Sequence, residues 1–476
     1  MSSIEPALVV DVDGTLLRTD LLVEAALAVA FRAPWKMLTW PGLLARGKAP
    51  LKRAIAAQAG DIGIDAMPLN ETVVEFLTAE KTRGRKIYLA SASDEAWIAP
   101  LAARLGLFDG IFASDGATNL AGEAKAAKLV AQFGERGFDY IGNGRADLPV
   151  WAVARKAYLA DAPASIAAAA AQRNAEVEVI AAPAASGVQA MLKAWRPHQW
   201  VKNVLVFLPM LAAQHFDAAS LAASLLAFIA MSLCASSGYV VNDLADLASD
   251  RRHLRKRRRP FASGALQPVW GVAMALGPLA AGLALAAAQS WQLLAMVGGY
   301  YLLSLTYSFA LKSKLILDVF ALAFLYTFRI GVGAVATGVV VSEWLFAFAM
   351  FFFMSLAMVK RANELARQLN ENGPRTASRG YHPNDVEVIS ALAVAAGFCA
   401  VLVLALYVNS PAAIGLYGEP RWLWGACFVL AYWLGRIFVL ARRGHLDDDP
   451  IIFAFGDRAS IIAGAGVALF GLLAAL

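Results

Sequence analysis

Sulfur is scarce in this chain. Cys234, Cys399 and Cys427 are its three cysteines, and each lies inside an apolar stretch. Neither a disulfide framework nor a cysteine-based zinc site is expected, and the thiols read as small apolar packing residues. Charge is scarce as well. Only 16% of residues are Asp, Glu, Lys or Arg, against 59% hydrophobic, and the mean hydropathy is +0.56. A chain of 476 residues this apolar does not read as a soluble protein. The N-terminus, MSSIEPALVVDVDGTLL, lacks the basic start of a signal peptide, and its apolar run meets Asp11 and Asp13 too early. Internal repeats and nucleic-acid modules are also missing: the basic run at 251–259 has no interleaved aromatics, so no nucleic-acid partner is expected.

The apolar residues are unevenly spread. Residues 1–190 carry ordinary charge and many alanines, whereas long apolar stretches dominate the rest. This predicts a cytoplasmic domain over 1–185 and a multi-pass domain over 186–476 in the inner (plasma) membrane. A spanning helix needs roughly 20 mostly apolar residues. Nine candidates fit, at 201–216, 219–242, 267–288, 291–311, 315–339, 342–360, 387–408, 421–441 and 458–476. The first is the shortest and begins with charge. Basic residues favour cytoplasmic loops. If the first helix starts inside, beside Arg196 and Lys202, then the segments with Lys312 and Lys314, with Lys360, Arg361, Arg367, Arg375 and Arg379, and with Arg442 and Arg443 all fall inside, and Arg421 is the one basic residue outside. The C-terminus is then expected outside.

The second span ends in VVNDLADLASDRRHLRKRRRPFASG, residues 240–264. Asn242, Asp246 and Asp250 are spaced by four, which is one stripe of a helix, and Asp243 lies at its edge. Like charges on one face at a helix C-terminus repel each other and face the negative end of the dipole. Something positive must compensate. The following RRHLRKRRR alone would suit anionic lipid. Carboxylates and bases together suit Mg²⁺ carrying a diphosphate, because Mg²⁺ takes carboxylate and phosphate oxygens and Arg and Lys bind the oxygens that remain.

The pattern N-D-x-x-D-x-x-x-D resembles the first aspartate-rich motif of the UbiA superfamily of intramembrane prenyltransferases. The resemblance covers about 190–476 and implies an all-α bundle of nine membrane helices in which Asn242, Asp243, Asp246 and Asp250 hold Mg²⁺ and a diphosphate donor. WRPHQWVKN (195–203), RRRPFASG (257–264), YSFALKSKLILD (307–318), VKRANEL (359–365) and DPIIFAFGDR (449–458) look like the decaprenyl-phosphate phosphoribosyltransferase branch. That branch implies phosphoribosyl diphosphate as donor and a polyprenyl phosphate as lipid acceptor. For two such anionic substrates the candidate phosphate contacts are Lys202, Lys256, Arg259, Lys312, Lys360 and Arg361, with Asn203 as a polar clamp, Tyr307 as a further substrate contact and Asp318 as a further catalytic candidate. One departure stands out. Prenyltransferases of the superfamily usually carry a second D-x-x-x-D motif, but Asp318 is followed four later by Leu322. Less acid and more base suits two anionic substrates.

The N-terminal stretch ALVVDVDGTLLRTD (7–20) is an apolar strand ending in D-x-D-G-T. It resembles the first motif of haloacid-dehalogenase-type (HAD) phosphatases, which implies a Rossmannoid parallel α/β sheet with a helical cap over 20–80. The resemblance makes Asp11 the phosphoryl-accepting nucleophile and Asp13 the acid/base. It has Ser91, in KIYLASASD, bind the phosphoryl group, and Lys125, or else Lys128, neutralise it. Metal ligands would be Asp11, Asp13, Asn143 and Asp147, although the family usually has Gly-Asp where this chain has Gly142-Asn143. The segment RAPWKMLTWPGLLARGK (32–48) is apolar, aromatic and basic, suited to a membrane surface or the second domain.

Together these readings imply a Mg²⁺-dependent transferase of 5-phosphoribosyl to polyprenyl phosphate, fused to a phosphatase that removes the 5-phosphate from the lipid-linked product. Prenyl transfer to an aromatic acceptor and a transporter with a regulatory domain are the alternatives. The oligomeric state is left open, a homo-oligomer included.

Overall fold

The computed structural model describes residues 5–181, 187–370, 380–446 and 449–476. Arg375, Arg379 and the 185/186 boundary lie outside the described residues. The chain forms two compact units. One comprises Met1–Trp195 with Tyr239–Ala275, the other Arg196–Gly238 with Leu276–Leu476.

The first unit is built on six parallel strands: β1 (Ala7–Val10), β2 (Ile87–Asp94), β3 (Gly110–Ser114), β4 (Phe138–Gly142), β5 (Ala157–Ala160) and β6 (Val177–Ala181). Their order is β3-β2-β1-β4-β5-β6. Successive strand residues point to opposite faces. Leu8, Val10, Ile87, Leu89 and Ile141 accordingly pack on one side of the sheet, and Val9, Ala90, Tyr140 and Leu159 on the other. Helices cover both faces, which is why β1 (ALVV) and β5 (AYLA) are apolar throughout rather than alternating. Chain order reverses at β1, so the C-terminal ends of β1 and β4 flank a crevice of the kind that holds ligands in open α/β sheets.

The region between β1 and β2 is helical. It contains α1 (Leu21–Arg32), α2 (Lys48–Ala59) and α3 (Glu71–Thr82). Asp20 caps α1 by accepting from the Val23 backbone N–H at 2.9 Å, which satisfies one of the otherwise unpaired amides of the first turn. Trp35, Leu38 and Leu44 of this region are exposed. Later, α4 (Glu123–Phe133) leads toward β4.

Eight helices among the described residues are long and apolar enough to cross a membrane: Ala218–Ala245, Pro268–Gln289, Trp291–Leu311, Leu317–Thr337, Glu343–Arg367, Pro383–Val408, Pro420–Arg442 and Arg458–Ala475. They coincide with the second to ninth sequence candidates. The first candidate differs in kind. It is a 3₁₀ helix, Pro197–Phe207, followed by a short α-helix, Leu208–Ala212. Prolines at 197 and 209 open each piece, where a missing N–H costs nothing.

The acidic ladder also differs from one unbroken helix. The helix α5 (Ala218–Ala245) stops, Asp246 forms a turn, and α6 (Leu247–Arg252) resumes. The stripe survives the break because Asp246 N–H still donates to Asn242 C=O at 3.0 Å, and Asp250 N–H to Asp246 C=O at 2.8 Å.

Candidate functional site

In the first unit, side chains converge on the C-terminal end of β1. Asp11 follows the strand, and its backbone N–H donates to Ile141 C=O of β4. The Lys125 ammonium, from α4, donates to Asp11 Oδ1 at 2.6 Å and to the Tyr140 hydroxyl at 2.9 Å. Tyr140 in turn donates to Asp147 Oδ1 at 2.8 Å. Asp147 Oδ2 accepts from the backbone N–H groups of Asn143 and Gly144 at 3.1 and 3.0 Å. Asp13 Oδ1 accepts from Leu21 N–H at 2.8 Å, and its Oδ2 accepts from Ser93 Oγ at 2.6 Å and Ser91 Oγ at 3.3 Å. Asn143 lies so close to Gly14 that a Cβ on Gly14 would sit 2.2 Å from Asn143 Nδ2. Gly14 also has φ +77°, so this turn has no room for a side chain.

Burial dominates the electrostatics. It pushes Asp11 up to about 7 despite Lys125, with the neighbouring carboxylates Asp147 and Asp13 adding to the rise. Burial likewise lifts Asp13 to about 6, with Asp20 contributing. For Lys125, burial works against the charge, but Asp11 and Asp147 more than offset it and hold its pKa above the ordinary lysine value. Asp11, Asp13, Asn143 and Asp147 form an all-oxygen set, the chemistry Mg²⁺ takes. Burial, helped by the neighbouring carboxylates, disfavours the charged forms of Asp11 and Asp13, and a bound cation would offset that cost. These residues therefore fit Mg²⁺. Asp11 can attack phosphorus, and Asp13, near neutral pKa, can exchange a proton.

In the same unit, the ladder's countercharge is Arg259. Its Nη1 donates to Asp250 Oδ2 at 2.5 Å and to Asp243 Oδ1 at 3.1 Å, while the Lys256 ammonium stands 3.9 Å from Asp250 Oδ1. Asp243 and Asp250 are buried, whereas Asn242 and Asp246 are half-buried. Burial raises Asp250 even with Arg259 beside it. Asp250 Oδ1 is buried and accepts no hydrogen bond. A buried carboxylate oxygen with spare capacity, beside further carboxylates and an amide, again fits Mg²⁺. Among the described residues no three carboxylates, imidazoles or thiols converge tightly enough to hold a metal alone. Mg²⁺ ordinarily binds through one or two carboxylates and completes its shell with phosphate and water oxygens.

The ladder is tied to the α/β fold within this unit. Arg251 of α6 donates through Nη1 to Glu24 Oε2 at 2.6 Å and through Nη2 to Glu24 Oε1 at 2.5 Å, both side chains being about 97% or more buried. Thr19 also donates to Glu24. Arg252 pairs with Asp65 at 2.7 Å and Asp61 at 3.3 Å. Leu27 and Phe31 of α1 pack against Leu244, Leu247 and Phe261.

The second unit carries the remaining candidates. Asp318, at the start of Leu317–Thr337, is fully buried. It accepts from the Tyr381 hydroxyl at 2.5 Å and pairs with Arg361 Nη2 at 2.8 Å. Arg361 also pairs with Glu364. Lys202 and Lys360 share Asp449, at 2.5 and 3.5 Å. Asn203 donates to Ser232 and accepts from Arg329. Tyr307 opens a π-helical turn, Tyr307–Leu311, and Lys312 N–H donates back to its C=O at 2.9 Å. Such turns often mark functional positions.

Several participants were not singled out from the sequence. Ser93 lies two residues from Ser91 and so on the same strand face; the spacing S-A-S was the available signal. Tyr140, inside an apolar strand, gave none. Lys52 of α2 donates to Ala92 C=O at 2.7 Å and Asn119 Oδ1 at 2.8 Å, close to Asp13. Tyr381 and Asp449 meet partners far away in sequence. Lys128, the alternative to Lys125, is exposed.

Both halves of the chain match known families. Residues 8–152 match the haloacid dehalogenase-like hydrolase family and residues 203–459 the UbiA prenyltransferase family. The uncharacterized protein y4nM of Sinorhizobium fredii is 34% identical over 97% of this chain and 89% of its own length. The nodulation protein NoeC of Azorhizobium caulinodans is 38% identical over 58% of this chain and 90% of its own. The decaprenyl-phosphate phosphoribosyltransferase of Corynebacterium glutamicum is 38% identical over 37% of this chain and 54% of its own. A solved UbiA homolog from Archaeoglobus fulgidus bound to GPP and Mg2+ aligns with a TM-score of 0.45 and 17% identity, over 60% of this chain and 99% of that one. With its family match spanning more than half of its length, preceded by a haloacid dehalogenase-like domain, this multi-pass chain belongs to the UbiA prenyltransferase family.

Proposed function

We propose that the chain transfers 5-phosphoribosyl from phosphoribosyl diphosphate to a polyprenyl phosphate, and that its N-terminal domain then removes the 5-phosphate. One observation carries the choice of donor. Lys202 and Lys360 share the Asp449 carboxylate and Arg329 is buried among neutral partners, so these three cations are matched by one described carboxylate, while Arg361 is balanced by Asp318 and Glu364 and Leu322 stands where a second carboxylate would. That excess of cation over carboxylate suits two anionic substrates better than a neutral aromatic acceptor. The relatives named decaprenyl-phosphate phosphoribosyltransferase support the same reading.

In this reading Asn242, Asp243, Asp246 and Asp250 would hold Mg²⁺, which offsets the charge of the leaving diphosphate. Arg259 and Lys256 would bind oxygens of that diphosphate. As the bond from ribose C1 to diphosphate breaks, an oxygen of the lipid phosphate bonds to C1. The acceptor is already anionic, so positioning rather than base catalysis dominates. In the phosphatase step, Asp11 attacks phosphorus while Lys125 and Ser91 steady the phosphoryl oxygens. Asp13 gives its proton to the departing ribose oxygen and then takes one from water.

The domain boundary belongs near 185/186, with both sites cytoplasmic and the C-terminus outside. That topology needs a ninth crossing. A 3₁₀ helix rises about 2.0 Å per residue, so the segment Pro197–Ala212 reaches about 30 Å, the thickness of the hydrocarbon core, with fewer residues than an α-helix.

The test uses purified full chain with Mg²⁺, labelled phosphoribosyl diphosphate and decaprenyl phosphate. Labelled lipid is expected, and Asp11→Asn is expected to leave transfer intact while the 5-phosphate stays on the product. Consumption of a prenyl diphosphate alone would sink the reading.

A further inference from the structure

Arg329 is a charge deep in a membrane helix. It lies twelve residues into Leu317–Thr337, about 18 Å from the helix start at a 1.5 Å rise. It is 94% buried. Its Nε donates to Asn203 Oδ1 at 3.0 Å, its Nη1 to Leu325 C=O at 2.8 Å and its Nη2 to the Tyr300 hydroxyl at 2.5 Å. The bond to Leu325, one turn earlier, shows the side chain leaning toward the helix N-terminus, the end that bears Asp318. All three partners are neutral, and among the described residues no carboxylate pairs with it. The contrast with Arg361, matched by Asp318 and Glu364, is direct. An ionisable group buried at membrane depth is costly and is ordinarily kept for a partner.

Two further cations are close. The Tyr326 ring has the Arg329 guanidinium 4.9 Å from its centroid and the Lys202 ammonium 5.9 Å from it. Lys202 and Lys360 both reach Asp449. Arg329, Lys202 and Lys360 therefore face a single described carboxylate. The acidic ladder has the opposite balance, with the carboxylates Asp243, Asp246 and Asp250 against Arg259 and Lys256. A site for metal and diphosphate needs surplus carboxylate; a site for a bare phosphate needs surplus cation.

We infer that Arg329, Lys202 and Lys360 form a metal-independent subsite for the phosphate of the lipid acceptor, with Asp449 as the internal counter-ion that this phosphate displaces. The inference rests on the proposed phosphoribosyl transfer and deepens it by assigning cations to one of the two anionic substrates. Asp449 is suited to the part. Burial alone would raise its pKa, but Lys202 and Lys360 more than offset this and hold it at about 2. It also caps its own helix by accepting from Ile451 N–H at 3.1 Å, a bond that an asparagine retains.

The test measures binding of decaprenyl phosphate to the full chain in nanodiscs containing EDTA, with decaprenol as the uncharged control and inorganic phosphate as competitor. Wild-type protein is expected to bind the phosphate lipid without metal. Arg329→Gln should weaken it on the order of 10- to 100-fold, the loss of a charge-assisted hydrogen bond. Arg329→Lys should recover part of that, and decaprenol binding should not move. Asp449→Asn should shift the other way, tightening the phosphate lipid about threefold or more, which misfolding would not do. In the transfer assay the same variants should change the KM for polyprenyl phosphate and not that for phosphoribosyl diphosphate. Loss of wild-type binding in EDTA, a change confined to the donor KM, weaker binding in Asp449→Asn, or displacement by inorganic phosphate at comparable concentration would each overturn the assignment. Absence of transfer in wild-type protein would instead reject the proposed reaction, while the binding arms would still decide the subsite.

Discussion

At the scale of single residues, Asp11 shows what burial does to a carboxylate. Its pKa of about 7, with Asp13 at about 6, lies above the ordinary 3.8. Between roughly pH 4 and 7 the folded state keeps protons that the unfolded chain has released, so stability falls as pH rises through that window. Without divalent cations, the thermal midpoint of the N-terminal unit is expected to fall from pH 5 to pH 7.5. Mg²⁺ should raise it more at pH 7.5 than at pH 5, and Asp11→Asn should remove most of that difference; equal Mg²⁺ shifts at both pH values would contradict the assigned ligands. Residue-level legibility was partial. Asp11, Asp13, Ser91, Lys125 and Asp147 stand in motif order in the sequence and lie around one strand end in the structure. Tyr140, which links Lys125 to Asp147, could not be read, because a tyrosine in an apolar strand looks like core until its hydroxyl finds a partner.

At the scale of elements, the tie between α1 and α6 matters most. Arg251 and Glu24 are buried together, and removing one partner of a buried pair strands the other charge. Glu24→Ala is expected to destabilise the first unit by about 3–5 kcal/mol, measured by denaturant unfolding. The double variant Glu24→Ala with Arg251→Ala should recover part of the loss, and strictly additive losses would count against the pair. Arg259→Ala should likewise remove the cation that Asp243 and Asp250 share, leaving Lys256 3.9 Å from Asp250. It is expected to raise the KM for the diphosphate donor on the order of tenfold or more, and an unchanged donor KM would place Arg259 outside that site. The membrane helices were legible as elements because twenty apolar residues have few other readings. The break at Asp246 was not, since the spacing by four is the same on a continuous helix and on one interrupted by a turn that keeps both backbone bonds.

At the scale of the whole molecule, the first unit includes Tyr239–Ala275, a segment separated from Met1–Trp195 in the sequence by residues of the other unit. The chain's fusion is thus more than a tether. A fragment over 186–476 would lose Glu24, Leu27 and Phe31, leaving Arg251 uncompensated and the Leu244–Phe261 cluster uncovered. It is expected to have a lower thermal midpoint than the full chain, and an equal midpoint would show that the N-terminal domain adds no stability to the acidic segment.

The sequence by itself determined what local chemistry can encode: an apolar strand ending in paired aspartates, a stripe of carboxylates followed by bases, and nine apolar runs, eight of which are helices long enough to cross a bilayer among the described residues. These depend on periodicity and composition within a few turns of chain. Only the tertiary structure decided which charges neutralise which. Glu24 meets Arg251 across 227 residues, and Lys202 meets Asp449 across 247. A buried ion must find its partner wherever the fold brings one, and no local pattern specifies that pairing.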